Sequence, residues 1–192
     1  LILRKGTIVD STIISAPSST RNKEKKRDPD AHQVKKGNTW HFGYKAHIGV
    51  DKDSGLAHTV KATAANVHDV SETSKLLTGE EEAVYGDSGY LGAGKREDAV
   101  VRNKSGHKIK HKINRRPSQV KKLSKSGQYA AKKAEHAKSS VRAKVEHVFG
   151  VVKKQLHFRK TRYRGLEKQQ AKFNIMFALA NLILADRPCL AA

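Results

Sequence analysis

Ser139-Ser-Val-Arg-Ala-Lys-Val-Glu-His-Val-Phe-Gly-Val-Val-Lys153 carries a single acid, Glu146, in strongly basic surroundings. At 100° per residue, Arg142, Glu146, Phe149 and Lys153 share one stripe of a helix, and Val141, Val145, Val148 and Val152 form a second stripe beside it. A helix of this kind buries the valines and offers the other side to work. Read in isolation, Arg142 and Glu146 are also an i,i+4 ion pair on a surface helix, worth roughly 0.3–0.5 kcal/mol. The rest of the chain decides between the two readings.

Working outward, the charge is the first constraint. Thirty-nine Lys and Arg stand against 18 Asp and Glu, a formal charge of +21. So large an excess implies a polyanionic partner, with nucleic acid the usual one. A basic membrane-surface protein would share the charge, but no long amphipathic helix with a clustered aromatic face is present. The one cysteine, Cys189, excludes an internal disulfide framework and a cysteine-based zinc site and points to a reducing, cytoplasmic setting. The longest apolar run, Ile175 to Ala185 broken by Asn181, is too short to cross a bilayer and reads as a buried core helix. At 192 residues there is material for one domain with a real core. The chain opens at Leu1 directly on strand-like sequence, which reads as a piece of a longer protein.

Thr7 to Ile14 is β-branched on both faces, the pattern of a central strand, and holds Asp10. A carboxylate there must be paired, protonated or coordinating a cation. Residues 15–38, rich in Ser, Asn, Pro and charge, read as a mobile basic loop. Trp40 to Val50 alternates, with Phe42, Tyr44, Ala46, Ile48 and Val50 on one face, and the turn signal at 51–55 joins it to a second strand, Leu56 to Thr63, as an antiparallel hairpin. His47 and His58 read as hydrogen-bonded sheet histidines, and Asp51 and Asp53 as turn residues. Asp69 with Glu72 three residues on has capping-box spacing, so a short helix is expected to start there. Ala83 to Asp87 is a short strand ending in an acid, followed by a Gly-rich turn at 88–94 that lacks the Lys-Ser/Thr ending of a phosphate loop. Residues 102–138 contain thirteen Lys or Arg and one acid, Glu135. That tract is either a disordered basic segment or a surface that tracks phosphates. A final helix, Leu166 to Ala185, stops before Pro188.

The order of elements is that of a mixed α/β domain. Asp10, Asp87 and Glu146 are three isolated acids at sites that can meet near a sheet rim. Hard oxygen donors of this kind suit Mg²⁺, which keeps waters and is shared with substrate phosphates. Two such ions about 3.5–4 Å apart serve in-line phosphodiester displacement.

Five blocks carry a resemblance: Gly6-Thr-Ile-Val-Asp10-Ser-Thr, Gly43-Tyr-Lys-Ala-His47-Ile-Gly-Val-Asp51, Ala65-Asn-Val-His-Asp69-Val, Tyr85-Gly-Asp87-Ser-Gly-Tyr90 and Arg142-Ala-Lys-Val-Glu146-His-Val-Phe-Gly150. Together they resemble the catalytic domain of bacterial DDE transposases of the insertion-sequence-five family. The resemblance implies a ribonuclease-H-like (retroviral-integrase-like) mixed sheet flanked by helices over residues 1–192, with basic insertions at 15–38 and 102–138. It implies Asp10, Asp87 and Glu146 as catalytic and metal-binding acids, Arg142 and Lys153 as phosphate-binding cations, and Mg²⁺ or Mn²⁺, two ions, as cofactor. The implied partners are transposon-end and target DNA, with a homo-oligomer as the active complex in the nucleoid-associated cytoplasm. An N-terminal DNA-binding region usual in the family is absent from this chain. Ser139 stands at the family's Tyr position. A decayed copy that binds DNA without transposing, a non-enzymatic basic nucleic-acid-binding protein and a nuclease of structured RNA are the competing readings.

Overall fold

β-Branched residues at Thr7, Ile8, Val9, Thr12, Ile13 and Ile14 need cover on both faces, and the computed structural model, which describes residues 5–185, gives them that cover. Strand β1 (Gly6–Ser15) runs through the middle of a six-stranded mixed sheet. The chain continues through β2 (His32–Lys36), β3 (Thr39–Asp51), β4 (Ala57–Ala64), β5 (Ala83–Gly86) and β6 (Lys110–Ile113). It ends in helices α1 (Pro117–Lys121), α2 (Lys125–Gly150) and α3 (Leu166–Ala185). β3 lies antiparallel to β1, β2 and β4, whereas β1, β5 and β6 are mutually parallel.

Helices α2 and α3 cover one face. The alternating residues Phe42, Tyr44, Ala46, Ile48 and Val50 meet Val145, Val148, Val152, Phe173 and Phe177 in the larger core. The opposite face packs Val9, Val84 and Ile113 against Leu76, Tyr90 and Ile109 from short 3₁₀ turns and loops. The valine stripe is therefore what seats α2 on the sheet: Val145, Val148 and Val152 are wholly buried.

Four expectations change. Within 15–38, His32–Lys36 is a strand, turned into β3 through Gly37 at φ +61°. Edge pairing needs only backbone, so the strand shows no apolar period. Buried Asp28, which accepts from the Tyr44 hydroxyl and from Gly165 N–H, pins the remaining loop. The basic tract 102–138 is not an insertion without structure. It supplies β6, in which Ile113, like Ile109 just before the strand, turns inward between outward lysines, then α1 and the first half of α2.

Asp69 does not cap a helix. Residues Asp69–Glu72 and Ser74–Leu76 are 3₁₀ turns, and the Asp69 carboxylate accepts from Ser11 Oγ at 2.7 Å and from Lys45 Nζ at 3.0 Å. Lys45 is nearly buried, and an unpaired buried ammonium costs more than the ~1 kcal/mol a cap contributes. The fourth change is in α3, whose buried side is Phe173, Met176, Phe177 and Ala180, while Ile175, Leu179 and Leu182 face outward. Pro188 and Cys189 lie outside the described residues.

Asn181, which interrupts the apolar run, has a structural task. Its amide bonds both the N–H and the C=O of Ala57 (2.9 and 2.7 Å), and the Gln170 amide bonds Ala62 N–H and Val60 C=O (2.7 and 3.0 Å). Three helical turns at 1.5 Å per residue span about 16 Å, matching five strand residues at about 3.3 Å. The two amides thus clamp the open edge of β4.

Candidate active site

Register brings the two aspartates together. β1 and β5 pair Ile8 with Tyr85 in parallel, so Asp10 and Asp87, each two residues further on, project side by side where that parallel pairing ends, Asp10 from within β1 and Asp87 just past β5, on the face that α2 covers. Crevices at the carboxyl ends of parallel strands are where open α/β sheets place ligands. β6 extends the row, since Gly86 pairs with Ile113 and Asn114 N–H bonds Gly86 C=O at 3.0 Å. Asp10, Asp87 and Asn114 therefore stand side by side.

Helix α2 supplies the opposite wall. Arg142, Glu146, Phe149 and Lys153, one stripe by sequence, all line a cleft of about 480 Å³ with Asp10, Asp87, Ser11 and Lys36. After Gly150 the helix widens, Leu156 N–H reaching back five residues to Val151 C=O at 2.9 Å. Lys153 sits in this π turn, a distortion often found at working sites.

The electrostatics follow from burial. Asp10 is pushed up to about 6, chiefly by burial; a Ser11 N–H bond (2.7 Å) and the nearby Arg142 oppose the rise, and the Asp87 and Glu146 charges add to it. Arg142 does not pair with Glu146 on the surface. Its guanidinium stands 3.7 Å from Asp10 Oδ2 and donates to Asn114 Oδ1 at 3.4 Å. Burial, with Lys36 and Arg159 close by, holds the Lys153 ammonium below the usual lysine range, and Glu146 opposes this.

Asp10, Asp87, Glu146, Arg142 and Lys153 thus share one cleft. As donors the three carboxylates match Mg²⁺ in kind, because that ion needs only one or two carboxylates beside water and substrate phosphate. Among the described residues, however, no group of three His, Cys, Asp or Glu side chains is able to hold a metal ion by itself. Arg142, 3.7 Å away, is the charged partner that attends Asp10.

A family comparison places the chain. The transposase DDE domain family matches residues 3–182 of the chain. This chain belongs to that family. The mixed α/β sheet of the DDE domain accords with the ribonuclease-H-like fold that membership implies. No solved structure matches this chain. Among the described residues no helix is long and apolar enough to cross a membrane.

Two groups around the cleft are not evident from sequence. Asn114 donates to Glu135 Oε2 at 2.8 Å and to Ser139 Oγ at 3.3 Å, so Glu135 holds Asn114, and Asn114 holds Arg142 beside Asp10. The inward alternation of Ile109, His111 and Ile113 is the signal that could have revealed the strand ahead of it. Ser139 is exposed and belongs to this polar cluster. Behind Asp10, Ser11, Lys45 and Asp69 form the second group, with His47 Nδ1 3.6 Å from Asp69. Burial lowers His47 to about 4, against the pull of Asp69, so its ring is neutral and bonds Thr63 Oγ1 at 2.8 Å instead of forming an ion pair.

Proposed function

We propose that this chain is the catalytic domain of a DNA transposase of the insertion-sequence-five type, cutting phosphodiesters at transposon ends and joining the freed 3′-hydroxyl to target DNA. The observation that carries the reading is that three acids from three elements line one cleft together with two cations. In the first step water attacks phosphorus and the P–O3′ bond breaks, leaving a 5′-phosphate and a 3′-hydroxyl. In the second, that hydroxyl attacks a target phosphodiester and displaces another 3′-oxygen. Bound Mg²⁺ (or Mn²⁺) supplies charge neutralisation on the phosphate oxygens and a nucleophile at neutral pH.

Asp10, Asp87 and Glu146 would hold the ions. Arg142 and Lys153, on the same stripe as Glu146, would grip the phosphate and neutralise charge that develops on it. On this reading Arg142 leaves Asp10 for the DNA, and Asn114 keeps it within reach. The partners are transposon-end and target DNA, and joining paired ends calls for more than one copy of the chain.

The test is metal-dependent nicking and strand transfer of DNA, comparing wild type with Asp87→Ala. Loss of both activities in the variant is expected; equal activity would end the assignment. A copy that binds DNA without transposing is the second reading, favoured by Ser139. Gain of strand transfer in Ser139→Tyr over an inactive parent would establish that alternative.

A further inference from the structure

A second groove, of about 560 Å³, lies between the β2–β3 hairpin and the segment that follows α2. Gln33, Trp40, His41 and Phe42 come to it from the hairpin, and Arg27 and Lys160 come from the flanking loops. No Asp or Glu lines it. Trp40 is 64% exposed, opposite Lys35 on the neighbouring strand, and the Arg27 guanidinium stands 5.6 Å from the Phe42 ring centre. A large aromatic surface left to water beside unopposed cations has the chemistry of a stacking platform with a phosphate grip.

We propose that this groove receives the unpaired nucleotides of a DNA strand, a base stacking on Trp40 and phosphates lying on Arg27 and Lys160. The proposal rests on the reading that DNA is cut in the Asp10 cleft, because the two sites are consecutive along the same strands. Ser15 lines the groove and Asp10 the cleft, both on β1; Gln33 and Lys36 make the same link on β2. Five strand residues span about 16 Å, the reach of about five nucleotides at 3.4 Å each. Stacking requires a free base face, which an intact duplex keeps between its neighbours. The occupant is therefore single-stranded, and the groove is of nucleotide size.

Trp40 is the only tryptophan of the chain, so its fluorescence reports on this groove alone. The probes are a duplex carrying an overhang of that length, the same duplex blunt-ended, and the overhang with abasic sites, each added without divalent metal so that nothing is cut. The overhang is expected to quench Trp40 while the blunt and abasic probes do not. By anisotropy of labelled DNA, Trp40→Ala is expected to bind the overhang about tenfold more weakly, Trp40→Phe to recover most of the loss, and blunt-duplex affinity to stay unchanged. Equal quenching by all three probes, or unchanged overhang affinity in Trp40→Ala, would overturn the proposal. Overhang-specific quenching by a chain that never nicks DNA would support the groove while removing the proposed chemistry of the cleft.

Discussion

Asp10 shows how one residue sets both the chemistry and its cost. A carboxyl raised from 3.8 to about 6 makes the folded state bind its proton more tightly than the unfolded state does, so its contribution to stability is lost as pH rises between those values. Asp10→Asn removes the charge but keeps the shape. At pH 7.5 the variant is expected to be more stable by about 1–3 kcal/mol in thermal melts, the gain vanishing below about pH 4, and to lose nicking altogether. A melt in which the variant is the less stable at pH 7.5 would refute the account of Asp10. Asn114 is a positioning residue by the same logic. Asn114→Ala is expected to lower kcat for nicking about tenfold with little change in DNA affinity, and Asn114→Gln to restore part of it; a loss confined to affinity would count against its hold on Arg142.

The elements carry their own tests. The clamp of α3 on β4 consists of two amides, and Asn181→Leu leaves the Ala57 N–H and C=O without these partners. A loss of about 2 kcal/mol in urea unfolding is expected, together with a tendency to associate through the exposed edge. In β3, His47 is held neutral by burial down to about pH 4. The unfolded chain takes up the proton first as pH falls from 6.5, so stability drops through that window by up to about 3 kcal/mol. His47→Gln, which can still bond Thr63, is expected to flatten that portion of the difference curve between the two proteins; parallel curves would mean that His47 contributes nothing to the pH dependence.

For the whole molecule, the +21 charge has a place to act. Lys36, Arg142, Lys153 and Lys154 all line the cleft. If they contact phosphates together, log affinity for duplex DNA should fall against log salt with a slope steeper than about −3.5, and Lys153→Ala should reduce that slope by about one. A slope near −1 would place the DNA elsewhere. The elements that build this surface were unequally legible beforehand. The β3–β4 hairpin and the valine stripe of α2 follow from periodicity, because each buries a patterned apolar face, while β1 follows from β-branched residues on both faces and the existence of α3, though not its buried side, from an apolar run. β2 and β6 were hidden because an edge strand and a short strand among lysines are specified by backbone pairing, which leaves little trace in residue type.

The amino-acid sequence by itself implied a polyanionic partner and determined the α/β order of elements, the stripe that joins Arg142, Glu146, Phe149 and Lys153, and the resemblance to a DDE domain. Only the tertiary structure decided which groups face one another. Parallel register set Asp10 beside Asp87, β6 brought Asn114 to their flank, and Arg142 turned from Glu146 to Asp10. Asp69, with the spacing of a cap, answered a buried lysine across the sheet. The reason is range. Periodicity and capping act over a few residues along the chain, whereas the burial of a charge is settled by whatever the fold carries up to it.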